Sequence, residues 1–185
     1  MTGKRIGAGP RGSTSGDYFP RIFDTLKIPA LLVNGSVEEM MSKISAKQLD
    51  GVALATGVPV PALLELDQTE GMQFIPFTSD QIGILRQRMP ELSDSVIRQG
   101  MYPSLTVEYQ TIGLFNFVVA HKDLSDDLAY QIVKTTFDKH ARLVQAHSAA
   151  KETIYENITR DTFLPIHPGA VRYYRELGIE LANDR

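Results

Sequence analysis

The sequence predicts an α/β protein with a mixed, largely parallel sheet flanked by helices, followed by a return strand and C-terminal helices. Two observations carry this prediction. In the first part of the chain short apolar runs alternate with amphipathic stretches, the pattern of strand–helix units with a parallel sheet. Later, a near-continuous apolar run from Thr111 to Ala120 reads as a strand covered on both faces, and a long stretch of helical period follows it.

Taken in order, Arg5 to Ala8 reads as the first strand, ending in the loop Gly9-Pro-Arg-Gly-Ser-Thr-Ser-Gly16. Phe19, Ile22, Phe23 and Leu26 then recur at helical spacing, with Ser and Asp before them as caps and Pro20 in the first turn. Ala30 to Val33 is a second strand ended by Asn34-Gly35, and Ser36 caps a helix carrying Val37, Met40, Met41 and Ile44. Gly51 to Ala55 is a third strand, broken by Gly57-Val58-Pro59-Val60-Pro61 before a short helix through Leu63, Leu64 and Leu66. A strand is expected at Gln73 to Ile75, a helix from Ser79 to Met89 and an extended segment at Val96 to Gly100. Ser125 caps a long helix with Asp126 and Asp127 in its positive first turn. Its expected buried stripe is Leu128, Ile132, Val133, Phe137, Ala141 and Val144. A last helix starts at Pro168, stops at Gly178 and presents Ala170, Val171, Tyr174 and Leu177 on one face.

Composition narrows the function classes. The chain is 43% hydrophobic and 22% charged with net charge −3. It therefore lacks the basic excess that tracks a phosphate backbone, and no nucleic-acid partner is expected. Cysteine is absent, which excludes a disulfide scaffold and a thiolate metal site. No apolar run reaches the ~20 residues of a membrane span, and the start MTGKRIGAG has no signal-peptide core. A strand within a few residues of Met1 reads as an internal start, so a fragment is expected.

Three segments are candidates for chemistry. The Gly9–Gly16 loop joins a strand to a helix N-terminus, and its N–H groups, with the hydroxyls of Ser13, Thr14 and Ser15, can take an anionic group. It carries neither the phosphate-loop lysine nor the dinucleotide glycine spacing, and on pattern alone its glycines read first as serving the turn. Arg11 in this loop is a candidate carboxylate partner. The Gly57–Pro61 loop follows a strand's C-terminal end, where open α/β sheets bind ligands; proline punctuation before a helix is the alternative reading. Tyr102, beside Pro103, can cover a small ligand and hydrogen-bond its carboxylate, or simply pack. If it covers ligand, Tyr102→Ala weakens binding and leaves the melting temperature largely unchanged.

The histidines His121, His140, His147 and His167 show no metal-ligand spacing, and His167 reads as a cap or packing residue. No GxSxG elbow or acid–base pair stands out, so no catalytic residue, metal or cofactor is assigned. Arg172, Arg175 and Glu176 read as a solvated helix face.

Five segments in order resemble the solute receptors of the TAXI (TRAP-associated extracytoplasmic immunogenic) family of TRAP transporters. They are GKRIGAGPRGS from Gly3, GVPVPALLEL from Gly57, GMYP from Gly100, LSDDLAYQIVKTTFDKH from Leu124 and LPIHPGAVRYYRELGI from Leu164. The resemblance implies a type II periplasmic-binding-protein fold, with residues 1–104 as its second lobe. Residues 105–185 would be the return strand and helices that pack on a first lobe, so association with another chain is expected. It also implies a periplasmic receptor for a small organic anion or amino acid, such as glutamate or a dicarboxylate, that delivers its solute to TRAP permease subunits. Carried over by position, Gly12, Ser13, Thr14, Gly57, Pro59, Tyr102 and Pro103 would face the ligand. The chain departs from the family pattern at Thr14-Ser15-Gly16, Met101 and Ser104, which leaves the solute open. A ligand-sensing domain of a regulator is the alternative, and an enzyme holding a phosphorylated substrate a weaker one.

Overall fold

The structure, a computed structural model, describes residues 2–159 and 164–181. It divides into two compact units, Met1–Phe115 and Asn116–Arg185.

In the first unit β1 (Arg5–Gly7), β2 (Leu31–Val33) and β3 (Gly51–Val52) form a parallel sheet in the order β2-β1-β3. Arg5 faces Leu31, while Ile6 lies between Leu32 and Gly51. Successive residues of a strand point to opposite faces, and the packing follows this. Ile6, Leu32 and Ala53 join a core with Ile22 and Phe23 of α1 (Thr14–Thr25) and Leu85 of α4 (Ser79–Arg88). Val33, Val52 and Leu54 join Met40 and Met41 of α2 (Val37–Ser45) and Leu66 of α3 (Pro61–Thr69) on the other side. A Cβ on Gly7 would stand 2.5 Å from the Met40 sulfur, so a side chain there would force the buried Met40 to shift. The predicted α/β lobe, helices over both faces of a mostly parallel sheet, is what forms.

Several boundaries differ from expectation for identifiable reasons. Ser13 caps α1, so the helix starts before Tyr18 and Pro20 lies in its interior instead of its first turn. Residues 73–75 are not a strand; Phe74 instead packs its ring against Tyr102 and Tyr109, with centroids 5.4 and 5.6 Å apart. The extended segment expected at Val96 begins earlier, as β4 (Ser93–Ile97), because it pairs antiparallel with β5 (Tyr109–Gly113). The Thr111–Ala120 run is strand only to Gly113. Beyond it no strand among the described residues offers a ladder, and Val118 and Val119 are 93% and 78% exposed.

The second unit is helical: α5 (Asp126–Asp138), α6 (His140–Ala146), two 3₁₀ helices (Ser148–Glu152 and Tyr155–Thr159) and α7 (Pro168–Glu176). The long helix expected after Ser125 breaks at Lys139, which ends α5 and starts α6. Ala129, Tyr130, Val133 and Phe137 face Ala170, Tyr173 and Tyr174 of α7. The expected stripe is therefore corrected: Leu128 and Ile132 are 50% and 43% exposed, and Ala141 is exposed. The reason is Gly169. A Cβ there would meet the Asp126 carbonyl oxygen at 2.1 Å, so the two helices touch along the Asp126–Ala129 line, a turn's edge away from Leu128. Tyr173, absent from the expected α7 face, stacks flat on Phe137 at 5.9 Å, while Leu177 is exposed. Arg172 and Glu176 are exposed, as read, and are also partnered. The Arg172 guanidinium lies 4.2 Å over the Tyr130 ring and pairs with Asp127, and the Tyr130 hydroxyl donates to Glu176.

His167 caps α7. Its Nδ1 accepts from Gly169 N–H at 3.2 Å, and its Nε2 lies 3.0 Å from the Leu124 carbonyl.

Candidate functional site

The order β2-β1-β3 places a switch point between β1 and β3, because the chain leaves β1 to one side and returns on the other. In open α/β sheets the crevice outside the strand C-termini at such a point is where ligands bind. The sequence candidates fall around that edge.

The first segment leaves β1 at Ala8, which is fully buried and donates to the Val33 carbonyl. Gly9 has φ +72°, and its carbonyl accepts from Asn34 Nδ2 at 3.0 Å and Gly35 N–H at 3.3 Å. The chain then folds back over α1 so closely that a Cβ on Gly16 would lie 2.0 Å from the Pro10 carbonyl oxygen. Ser13 is the N-cap. Its hydroxyl accepts from Gly16 N–H at 3.1 Å and donates to Pro10 C=O at 2.7 Å, so it holds the loop's shape. Arg11, Gly12 (φ +74°) and Thr14 are exposed around it, at the positive end of α1. Asp17, in the first turn, already offsets part of that charge.

The second segment leaves β3 at Ala53, whose N–H donates to Gly7 C=O at 2.7 Å. Ala55 follows and is tied twice to Ser15 of α1: its N–H donates to Ser15 Oγ at 2.9 Å, and the hydroxyl donates to its carbonyl at 3.4 Å. Ser15 is 7% exposed. It thus bridges the β1 and β3 loops across the switch point, a role that no local motif signals. Gly57 is exposed, the Val58–Pro59 bond is cis, and Val60 caps α3 through its backbone, ahead of Pro61.

The third segment is the turn Gly100–Leu105, closed by Gly100 N–H to Leu105 C=O (2.9 Å) and Leu105 N–H to Tyr102 C=O (3.0 Å). Pro103 is exposed. Tyr102 is not: it is 1% exposed, and its hydroxyl accepts from Val60 N–H at 2.8 Å. Burial, opposed by that hydrogen bond, pushes its phenol pKa up. A ring so placed cannot lie over a ligand, and its loss opens a core cavity, so an unchanged melting temperature is no longer expected. Ser104, one of the departures from the family pattern, has a partner that the sequence concealed. Its N–H donates to Asp67 Oδ2 at 2.8 Å, its hydroxyl donates to Asp67 Oδ1, and it accepts from Met72 N–H at 3.3 Å. Asp67 is 5% exposed on α3; a separation of 37 residues leaves no sequence signal for this pair.

Hydrogen bonds thus join all three segments, through Ser15 to Ala55 and Val60 to Tyr102. The exposed groups they present are Arg11, Gly12, Thr14, Gly57 and Pro103, with Pro59 half-buried. Two open depressions lie in the second unit. One of about 490 Å³ is lined by Asp126, Arg172 and Glu176, and one of about 500 Å³ by Leu128, Ile132 and Leu143. Neither touches a candidate segment. Among the described residues no group of His, Asp and Glu is placed to hold a metal ion.

The NMT1-like family matches residues 1–178. Its proteins bind substrate and do not catalyse, and they are typically extracytoplasmic. The chain belongs to the NMT1-like family, a family of periplasmic substrate-binding proteins.

Proposed function

We propose that this chain captures a small organic anion or amino acid, of the glutamate or dicarboxylate class, at the crevice outside the C-terminal ends of β1 and β3. The observation that supports this most is the exposed cluster of Arg11, Gly12 and Thr14 at the positive end of α1, tied by Ser15 to the Gly57 loop across the switch point. Arg11 supplies a fork for a carboxylate, and the first-turn N–H groups of α1 supply donors without a side-chain entropy cost. Gly57, Pro59 and Pro103 form the facing wall, and Ser13 and Tyr102 hold the two sides in shape.

The TAXI resemblance extends the reading: residues 1–104 act as the second lobe, residues 105–185 return to a first lobe, and the solute passes to a TRAP permease. Capture then works by closure, since only a closed state collects binding free energy from both lobes. The exposed Val118–Val119 run and Leu128–Ile132 face fit an association of the return segment with another chain.

Calorimetric titration with L-glutamate and succinate tests the site. Arg11→Ala is expected to weaken carboxylate binding about tenfold, the equivalent of ~1.4 kcal/mol, and Thr14→Ala less. Equal affinity for parent and Arg11→Ala removes this edge as the site. Light scattering on the same sample reads the association, and a monodisperse monomer with one cooperative melt argues against it.

A further inference from the structure

We infer that Asp67 is the positioning residue of this site: by holding Ser104 it sets, through Tyr102, where the Gly57–Pro59 loop lies. The inference rests on the reading that this loop lines the binding crevice.

A carboxylate at 5% exposure is costly to bury unless its oxygens are matched by donors. Here each oxygen takes a donor from the same residue, the N–H and the O–H of Ser104. Two charge-assisted bonds to one residue fix its position and its orientation together. Ser104 sits in the turn that Leu105 N–H closes onto Tyr102 C=O, so fixing Ser104 fixes the base of the Tyr102 side chain. The fully buried ring has no room to swing, and its hydroxyl meets Val60 N–H at 2.8 Å. Val60 follows Pro59 and caps α3, the helix that also carries Asp67.

The contacts therefore form a closed ring: Asp67, Ser104, Tyr102, Val60, and back along α3. A rigid helix forms one side of the ring and a tight turn the other, and the Gly57–Pro59 loop is where the chain enters it. Positioning a binding loop on such a frame before ligand arrives removes the entropy cost of ordering it on binding.

Backbone amide hydrogen exchange in the ligand-free full chain tests this directly. Ser104→Gly removes the hydroxyl but keeps the N–H, and Asp67→Asn keeps the shape while removing the charge. Both are expected to speed exchange at Val60 at least tenfold, with Ile6, Gly7 and Leu32 of the sheet unchanged. Ser104→Thr restores a hydroxyl and is expected to return Val60 to slow exchange. Unaltered Val60 exchange in Ser104→Gly, or an acceleration shared equally by the sheet amides, overturns the inference, because a merely structural bond would act on all of them. Titration of L-glutamate into the same variants separates the two readings. A parent protein that does not bind glutamate counts against the functional proposal, while the exchange pattern still decides the role of Asp67.

Discussion

At the scale of single residues, the side chains around the proposed site do two different jobs. Arg11 and Thr14 are exposed and free to meet a solute, whereas Ser13, Ser15 and Tyr102 hold loops with hydroxyls turned inward. Tyr102 shows how much the distinction matters. Tyr102→Phe keeps the ring contact with Phe74 but leaves the buried Val60 N–H without its acceptor, which costs about 1–3 kcal/mol. Tyr102→Ala adds a cavity and is expected to cost about 3–5 kcal/mol. Chemical denaturation of both variants checks the order: equal stability of Tyr102→Phe and the parent would show that the hydroxyl contributes nothing to the fold.

At the scale of elements, three helices end alike. After α1, α2 and α7 the chain enters the left-handed region at Lys27 (φ 54°), Lys47 (φ 56°) and Gly178 (φ 73°). Each end carries both bonds of a Schellman motif: Ile28 to Phe23 and Lys27 to Asp24, Gln48 to Lys43 and Lys47 to Ile44, Ile179 to Tyr174 and Gly178 to Arg175. Glycine adopts this conformation without strain, and lysine pays about 1–2 kcal/mol for it. Lys47→Gly keeps the main-chain carbonyl that accepts from Arg5 and removes only an exposed side chain. After the greater flexibility of glycine in the unfolded chain is subtracted, a gain of about 0.5–1 kcal/mol is expected. A rise of about 1–3 °C in melting temperature would register it, and a fall would mean that the lysine side chain contributes more than its geometry shows.

At the scale of the whole molecule, the buried tyrosines are expected to lower stability at alkaline pH. Burial raises the phenol pKa of Tyr102, Tyr109 and Tyr174 above the ordinary 10.0. Above that pH the unfolded chain has lost these protons while the folded chain keeps them, so the folded state binds more protons and stability falls as pH rises. Loss of stability is expected to begin near pH 10 and to continue through the raised folded values, with tyrosinate absorbance appearing as unfolding proceeds. Full tyrosine ionisation without any loss of melting temperature would contradict this. On the acid side Asp50 acts in the opposite sense. The Arg5 N–H, then Lys4, hold its carboxyl below the ordinary 3.8, so its contribution is present above that value and is lost as pH falls through the lower folded value.

What the sequence determined by itself was whatever depends on near neighbours in the chain. The period of Phe19, Ile22 and Phe23, the caps at Ser36 and Ser125, the stop at Gly178 and the alternation of strands with helices each act over a few residues, and each is found in the fold. The loops at the strand C-termini were legible for the same reason. Only the tertiary structure decided which hydroxyl faces solvent and which is spent, because Tyr102 meets Val60 and Ser15 meets Ala55 across 40 or so residues of chain. It likewise decided that Ala129 and Tyr173, not Leu128 and Leu177, lie in the helical core. Hydrophobicity marks a side chain as able to be buried, but the close approach at Gly169 settles which side of the helix is covered.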